Sequence, residues 1–155
     1  VNNHNHIHML DQDLVSQEYF YNFLTGKYSI AVMRRLQRNL KEAGLSITSE
    51  QWSIMYNLWV EEGLTQQELA IRTFRDKPSV TRLINNLEKL NLVIRVNDKN
   101  DRRSNLIYLT KTGRKMKEEG MKQAKNTIEQ ALGGLEDDQI ALSNTILHRV
   151  LFNLK

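Results

Sequence analysis

The sequence predicts a mainly α-helical chain with one small β-hairpin, and three observations predict it. Apolar residues recur at helical spacing through most of the length. Helix-start signals follow one another closely: Thr48-x-x-Gln51, Thr65-x-x-Glu68 and Asp76-Lys77-Pro78. The pattern turns to β-branched clusters only at 92–97 (LVIRVN) and 106–109 (LIYL).

At 155 residues and 40% hydrophobic content, the chain suits one compact domain or a small domain with helical extensions. Charges interrupt every hydrophobic stretch, so no membrane span is expected, and no secretory signal pattern is visible. Cysteine is absent, which excludes disulfides, thiolate metal sites and thiol redox sensing. A cytoplasmic protein fits this composition. The net charge is +4, and its placement matters more than its size. Residues 48–115 hold twelve Lys and Arg against eight Asp and Glu, while the remainder is balanced. A polyanionic partner for the middle segment is the natural expectation.

Residues 1–10 (VNNHNHIHML) read as a flexible extension. His4, His6 and His8 alternate, but no acidic or cysteine ligand accompanies them, so no metal site is assigned. A long helix is expected over 11–43, weakly interrupted at Gly26. Phe20, Phe23, Leu24, Tyr28, Ala31, Val32, Leu36 and Leu40 give it a broad apolar side, more than a small domain can cover. Gly44 ends it.

The Thr48 capping box opens a helix with Trp52, Met55, Tyr56 and Trp59 at helical spacing. These residues, with Tyr28, read either as plain core or as a candidate pocket for a small apolar or phenolic anion, with Arg34 or Arg35 as a charge partner. The Thr65 box opens a short helix through Thr73, and 74–75 connect tightly to the next. Two short helices across a short turn are the helix-turn-helix layout.

The third helix, from Asp76 as N-cap to Asn91 as left-handed terminator, carries Val80, Leu83, Ile84, Leu87 and Leu90 on one face. Its other face offers Pro78, Thr81, Arg82, Asn85 and Lys89, flanked by Ser79 and Asn86, with Lys77 near its start. Short hydroxyls, amides and a few cations are the groups that read base edges; a merely solvated helix shows a Glu/Lys mix. Candidate DNA contacts are therefore Thr65, Gln66 and Gln67 at the preceding helix start, then Lys77, Pro78, Ser79, Thr81, Arg82 and Asn85. The hairpin tip adds Lys99, Arg102 and Arg103, with Asp98 and Asp101 as carboxylates able to aim an arginine. Such a hairpin is a wing.

Thr110 to Gly113 starts a helix running to about Leu132, and Gly133-Gly134 breaks it. A last helix from about Glu136 to Lys155 carries Ile140, Leu147, Val150, Leu151 and Leu154 on one stripe and Leu142 and Ile146 on another. Two apolar stripes at a chain end call for a partner subunit.

The strings DKPSVTRLINNLEKLNLV, NDKNDRRSNLIYLT and TKTGRK, between a long first helix and a closing helix, resemble the MarR (multiple antibiotic resistance regulator) family. Asn91 stands where that family often has glycine. The resemblance implies a winged helix-turn-helix over 48–115, with a helical dimerisation region from 11–47 and 116–155. It further implies a homodimer binding a palindromic double-stranded DNA operator, controlled through a cleft between the two regions. The expected form is a repressor released by a small aromatic or phenolic effector, with no cofactor. The competing reading is a winged-helix protein-interaction module without DNA binding. An enzyme fits least, since no paired carboxylates or Ser/His/Asp grouping stands at informative spacing.

Overall fold

The structure is a computed structural model that describes residues 18–99 and 105–154. Its elements are α1 (Glu18–Leu24), α2 (Lys27–Glu42), α3 (Ser49–Val60), β1 (Leu64–Thr65), α4 (Gln66–Thr73) and α5 (Lys77–Lys89). β2 (Val93–Asn97), β3 (Asn105–Leu109), α6 (Lys111–Lys115), α7 (Lys117–Leu132) and α8 (Asp137–Asn153) complete it. No helix among the described residues is long and apolar enough to cross a membrane.

The helix starts form as their sequences dictate. Thr48 and Thr65 each accept from the backbone of the third helical residue, and Gln51 and Glu68 reach back to complete both capping boxes. Asp76 caps α5, with Pro78 in its first turn. Asn91 ends the segment after α5 at φ 56°, the left-handed conformation expected of it.

Three elements differ from expectation. The first long helix is two helices: Gly26 adopts φ 67° and breaks it between Leu24 and Lys27. The helix after the hairpin is interrupted at Met116, separating α6 from α7. The hairpin is one part of a three-stranded antiparallel sheet of order β1-β3-β2, because Leu64 and Thr65 pair with Ile107 and Leu106. A two-residue strand carries no alternation to reveal it.

One core joins these elements. Leu36 and Leu40 of α2, Ile54, Met55, Leu58 and Trp59 of α3, and Leu69 of α4 meet Val80, Leu83, Ile84 and Leu87 of α5, closed by Val93, Ile107 and Leu109 of the sheet. Leu90, which continues the α5 stripe in sequence, lies past the last helical residue and is exposed. Packing at the sheet edge is tight: a Cβ on Gly113 would collide with the Leu92 carbonyl oxygen. A buried polar contact ties α2 to α7, where the Asn39 amide donates to Thr127 Oγ1 at 2.8 Å.

The ends of the chain are less covered. Phe23, Leu24, Tyr28 and Val32 are exposed, and only Leu36, Asn39 and Leu40 of α2 are buried. No residue of α8 is buried, and Leu142, Ile146, Leu147, Leu151, Phe152 and Leu154 stand in solvent.

Candidate nucleic-acid interface

α4 and α5 are held as a pair. Thr65 and Glu68 lock the start of α4: Thr65 Oγ1 accepts from the Glu68 amide at 3.1 Å, and Glu68 Oε2 accepts from the Thr65 amide at 2.7 Å. The Thr65 amide first, and then the Thr65 hydroxyl donating to the same oxygen, hold the Glu68 carboxyl below its ordinary value. At α5, Asp76 Oδ1 accepts from the Ser79 amide at 2.7 Å and Oδ2 from the Ser79 hydroxyl at 3.0 Å. The Asp76 carboxyl is likewise lowered, the Ser79 amide being the larger cause.

With Val80, Leu83, Ile84 and Leu87 buried, the helix turns its other face outward. Lys77, Pro78, Arg82 and Asn85 are exposed, and Ser79 and Thr81 are half-buried. Among the described residues, Arg82 has no hydrogen-bond or ion-pair partner, which leaves its guanidinium free to reach outward. Gln67 is exposed on α4, whereas Thr65 and Gln66 are half-buried and already bonded.

The β2–β3 ladder runs from Val93 opposite Leu109 to Asn97 opposite Asn105. Lys99 is exposed near the tip, and Asp98 is half-buried. Arg102, Arg103 and Asp101 lie outside the described residues, as do His4, His6 and His8. Among the described residues no group of His, Asp and Glu stands close enough to hold a metal ion.

Sequence reasoning missed Arg95 and Glu88. Arg95 of β2 pairs with Glu88 of α5 and bonds Asn85 and Gln66, tying the wing strand to the outer face of both helices. Its signal was available: Arg95 is the one charge in an otherwise apolar strand, following Glu88 across the α5–β2 turn.

The aromatic residues expected to line an effector pocket are distributed otherwise. Met55 is fully buried, and Trp59 donates its indole N–H to the Gly113 carbonyl at 2.9 Å. Trp52 stacks on Tyr56 at 5.4 Å and donates to the Gly120 carbonyl at 3.0 Å, while Tyr28 is exposed on α2. A recess of about 390 Å³ lies instead between α2 and the start of α3, lined by Ile30, Met33, Arg34, Gln37, Ser49, Glu50 and Arg75 among others.

A helix pair with a capped, outward-facing second helix, flanked by a three-stranded sheet, defines a winged helix-turn-helix protein. Residues 47–104 match the family model described as MarR family. It is 34% identical over 89 residues to the HTH-type transcriptional regulator TtmR of Methylorubrum extorquens, covering 57% of this chain and 43% of that protein. It is 36% identical over 89 residues to the HTH-type transcriptional regulator FarR of Neisseria gonorrhoeae, covering 57% and 60%. The chain thus spans about half the length of these curated relatives, which are named as transcriptional regulators and not as enzymes. Its fold matches a Staphylococcus aureus MepR–DNA complex with a TM-score of 0.79 at 26% identity, over 87% of this chain and 98% of that one. A mutant MarR from Escherichia coli complexed with operator DNA matches with a TM-score of 0.80 at 23% identity, over 90% and 99%.

Proposed function

We propose that this chain is a dimeric, sequence-specific DNA-binding transcription regulator that places α5 in the major groove and its wing along the minor groove. The observation that carries the proposal is the outer face of α5. Its core face is sealed, its start is capped, and Lys77, Arg82 and Asn85 project from a helix braced against the wing. Such a helix fits the major groove, and the cations supply the phosphate contacts that dominate affinity. The relatives' names and the DNA-bound neighbours support this assignment. The middle segment 48–115 is the DNA-binding part in this reading. Residues 11–47 and 116–155 form the dimerisation part, to which the exposed apolar side chains of α1, α2 and α8 give a reason to associate. The symmetry of a homodimer calls for a palindromic operator.

Control by a small effector has its own support. The recess between α2 and α3 lies where these two parts meet, and it combines Ile30 and Met33 with Arg34 and Arg75. Arg75 pairs with Glu50 at 3.2 Å, and its buried Nε has no partner among the described residues. An apolar body carrying an anionic group fits that lining, and its entry would release a repressor from its operator by shifting α5 relative to α2.

The test is selection of bound duplexes from a random pool, followed by Arg82→Ala on the selected operator. A palindromic motif is expected, and loss of a bidentate base contact costs about 1–3 kcal/mol at one base position. Wild-type affinity and preference in a folded Arg82→Ala protein would remove α5 from the interface. In the same assay Lys99→Ala is expected to weaken all sequences alike and to lower the salt slope by about one.

A further inference from the structure

Arg95 governs more of the α5 surface than its place on β2 suggests. Its Nη2 donates to Asn85 Oδ1 at 2.7 Å, its Nε to Gln66 Oε1 at 3.2 Å, and its Nη1 to Glu88 Oε2. The Arg95 backbone amide also donates to Glu88 Oε1 at 3.2 Å. A guanidinium only donates, so the group each amide turns toward it must be the carbonyl oxygen. The orientation of both amides is thereby fixed by chemistry. The Gln66 nitrogen, turned away, donates to Thr81 Oγ1 at 2.7 Å, and the Thr81 hydroxyl proton goes to the Lys77 carbonyl at 2.9 Å.

We infer that Arg95 is a positioning residue that sets the hydrogen-bonding character of the recognition face, presenting Asn85 to the bases as a donor and Thr81 as a methyl group. The inference rests on the DNA-binding reading and specifies what that surface reads. An unconstrained asparagine recognises adenine through paired bonds, donating to N7 and accepting from the N6 amino group. With one Oδ1 lone pair held by Arg95, Asn85 has both amino protons to offer, while its remaining lone pair is fixed in direction by that bond and cannot swing to suit adenine. It favours edges that only accept, guanine O6 and N7 or thymine O4. Thr81, with its proton and a lone pair engaged, offers chiefly its methyl, which fits the C5-methyl of thymine. Glu88 keeps the arrangement in place by neutralising the guanidinium where strand and helix meet.

The experiment selects bound DNA from a random pool with three full-length proteins: wild type, Asn85→Ala and Arg95→Met. Asn85 is exposed, so Asn85→Ala leaves the core intact and locates the base pair it reads as the position whose preference flattens. Wild type is expected to select guanine or thymine there, with adenine about tenfold weaker. Arg95→Met is expected to admit adenine at that position to near parity while the other positions keep their preferences. Adenine preferred by wild type at the Asn85 position overturns the inference, as does an Asn85→Ala protein in which no position flattens. A folded Arg95→Met protein that weakens every position alike overturns it too, since a merely structural residue behaves so. The wild-type and Asn85→Ala arms decide the matter even if Arg95→Met does not fold. Failure of wild type to select any motif is a separate result that removes the DNA-binding reading itself, and this inference with it.

Discussion

Asn39 of α2 and Thr127 of α7, far apart in sequence, are joined by a 2.8 Å hydrogen bond that is sealed from solvent. The second proton of the same amide goes to Gln130 Oε1 at 3.0 Å, and the Thr127 hydroxyl donates to the Gln123 carbonyl at 2.8 Å. Both Asn39 amide protons and the Thr127 hydroxyl proton are engaged here, so the members of this contact depend on one another. Thr127→Val strands one buried amide proton and is expected to cost about 1–3 kcal/mol of stability. Asn39→Leu combined with Thr127→Val removes both partners, and the double variant is expected to recover part of that loss. Urea unfolding of the four proteins in the cycle checks it; a strictly additive double variant would show that the two side chains do not act together.

Phe74 closes α4 in the left-handed region at φ 54°, ψ 43°, and its side chain is 85% exposed. A bulky residue pays for this conformation without recovering much by burial. Phe74→Gly is expected to stabilise the fold by about 1 kcal/mol, and Phe74→Val to destabilise it. Thermal unfolding reads both. A Phe74→Gly protein less stable than wild type would mean that the exposed ring makes a contact worth more than the strain.

Glu62 links the end of α3 to α6 by accepting from Arg114 Nε and Nη2, both at 2.7 Å, and from the Leu109 amide at 3.0 Å. The Arg114 bond is the main cause of a Glu62 carboxyl held below its ordinary value of 4.5. Since the folded value is the lower one, the unfolded chain binds more protons between the two. The stabilisation is complete above the ordinary value and disappears as pH falls through the folded one. Melting temperature is therefore expected to drop on acidification more steeply in wild type than in Glu62→Gln. Parallel curves for the two proteins would sink the assignment.

Among the described residues, α8 leaves Leu147 and Leu151 exposed. Leu147→Glu with Leu151→Glu is expected to convert a dimer into monomers, because a charge buried in an apolar contact without a partner is strongly unfavourable. Sedimentation at micromolar concentration distinguishes the two states. A monomeric wild type that keeps full operator binding would contradict the dimeric reading.

Much of this was legible in the chain because the deciding signals are local. Thr48, Thr65 and Asp76 announce three helix starts through side-chain bonds reaching only three residues, and Val80 to Leu87 declare a buried face by spacing alone. What sequence concealed depends on residues meeting from afar. The spacing of Met55, Trp59 and Tyr28 suits a core as well as a pocket, and only their neighbours separate the two. The grip of Arg95 on Asn85 crosses from strand to helix, and no periodicity encodes it. The break at Gly26 illustrates the same limit: the apolar pattern runs on while the backbone turns.

The chain has two tryptophans, and both stand at a single joint. Trp59 holds the Gly113 carbonyl of α6, Trp52 holds the Gly120 carbonyl of α7, and Met116 interrupts the helix between them. A Cβ on Gly120 would stand 2.5 Å from the Trp59 ring, so the indole occupies a space with no slack. The tryptophan emission of this protein therefore comes from the contact of α3 with α6 and α7. A small molecule or duplex that shifts α3 against α6 or α7 is expected to change that unlabelled fluorescence.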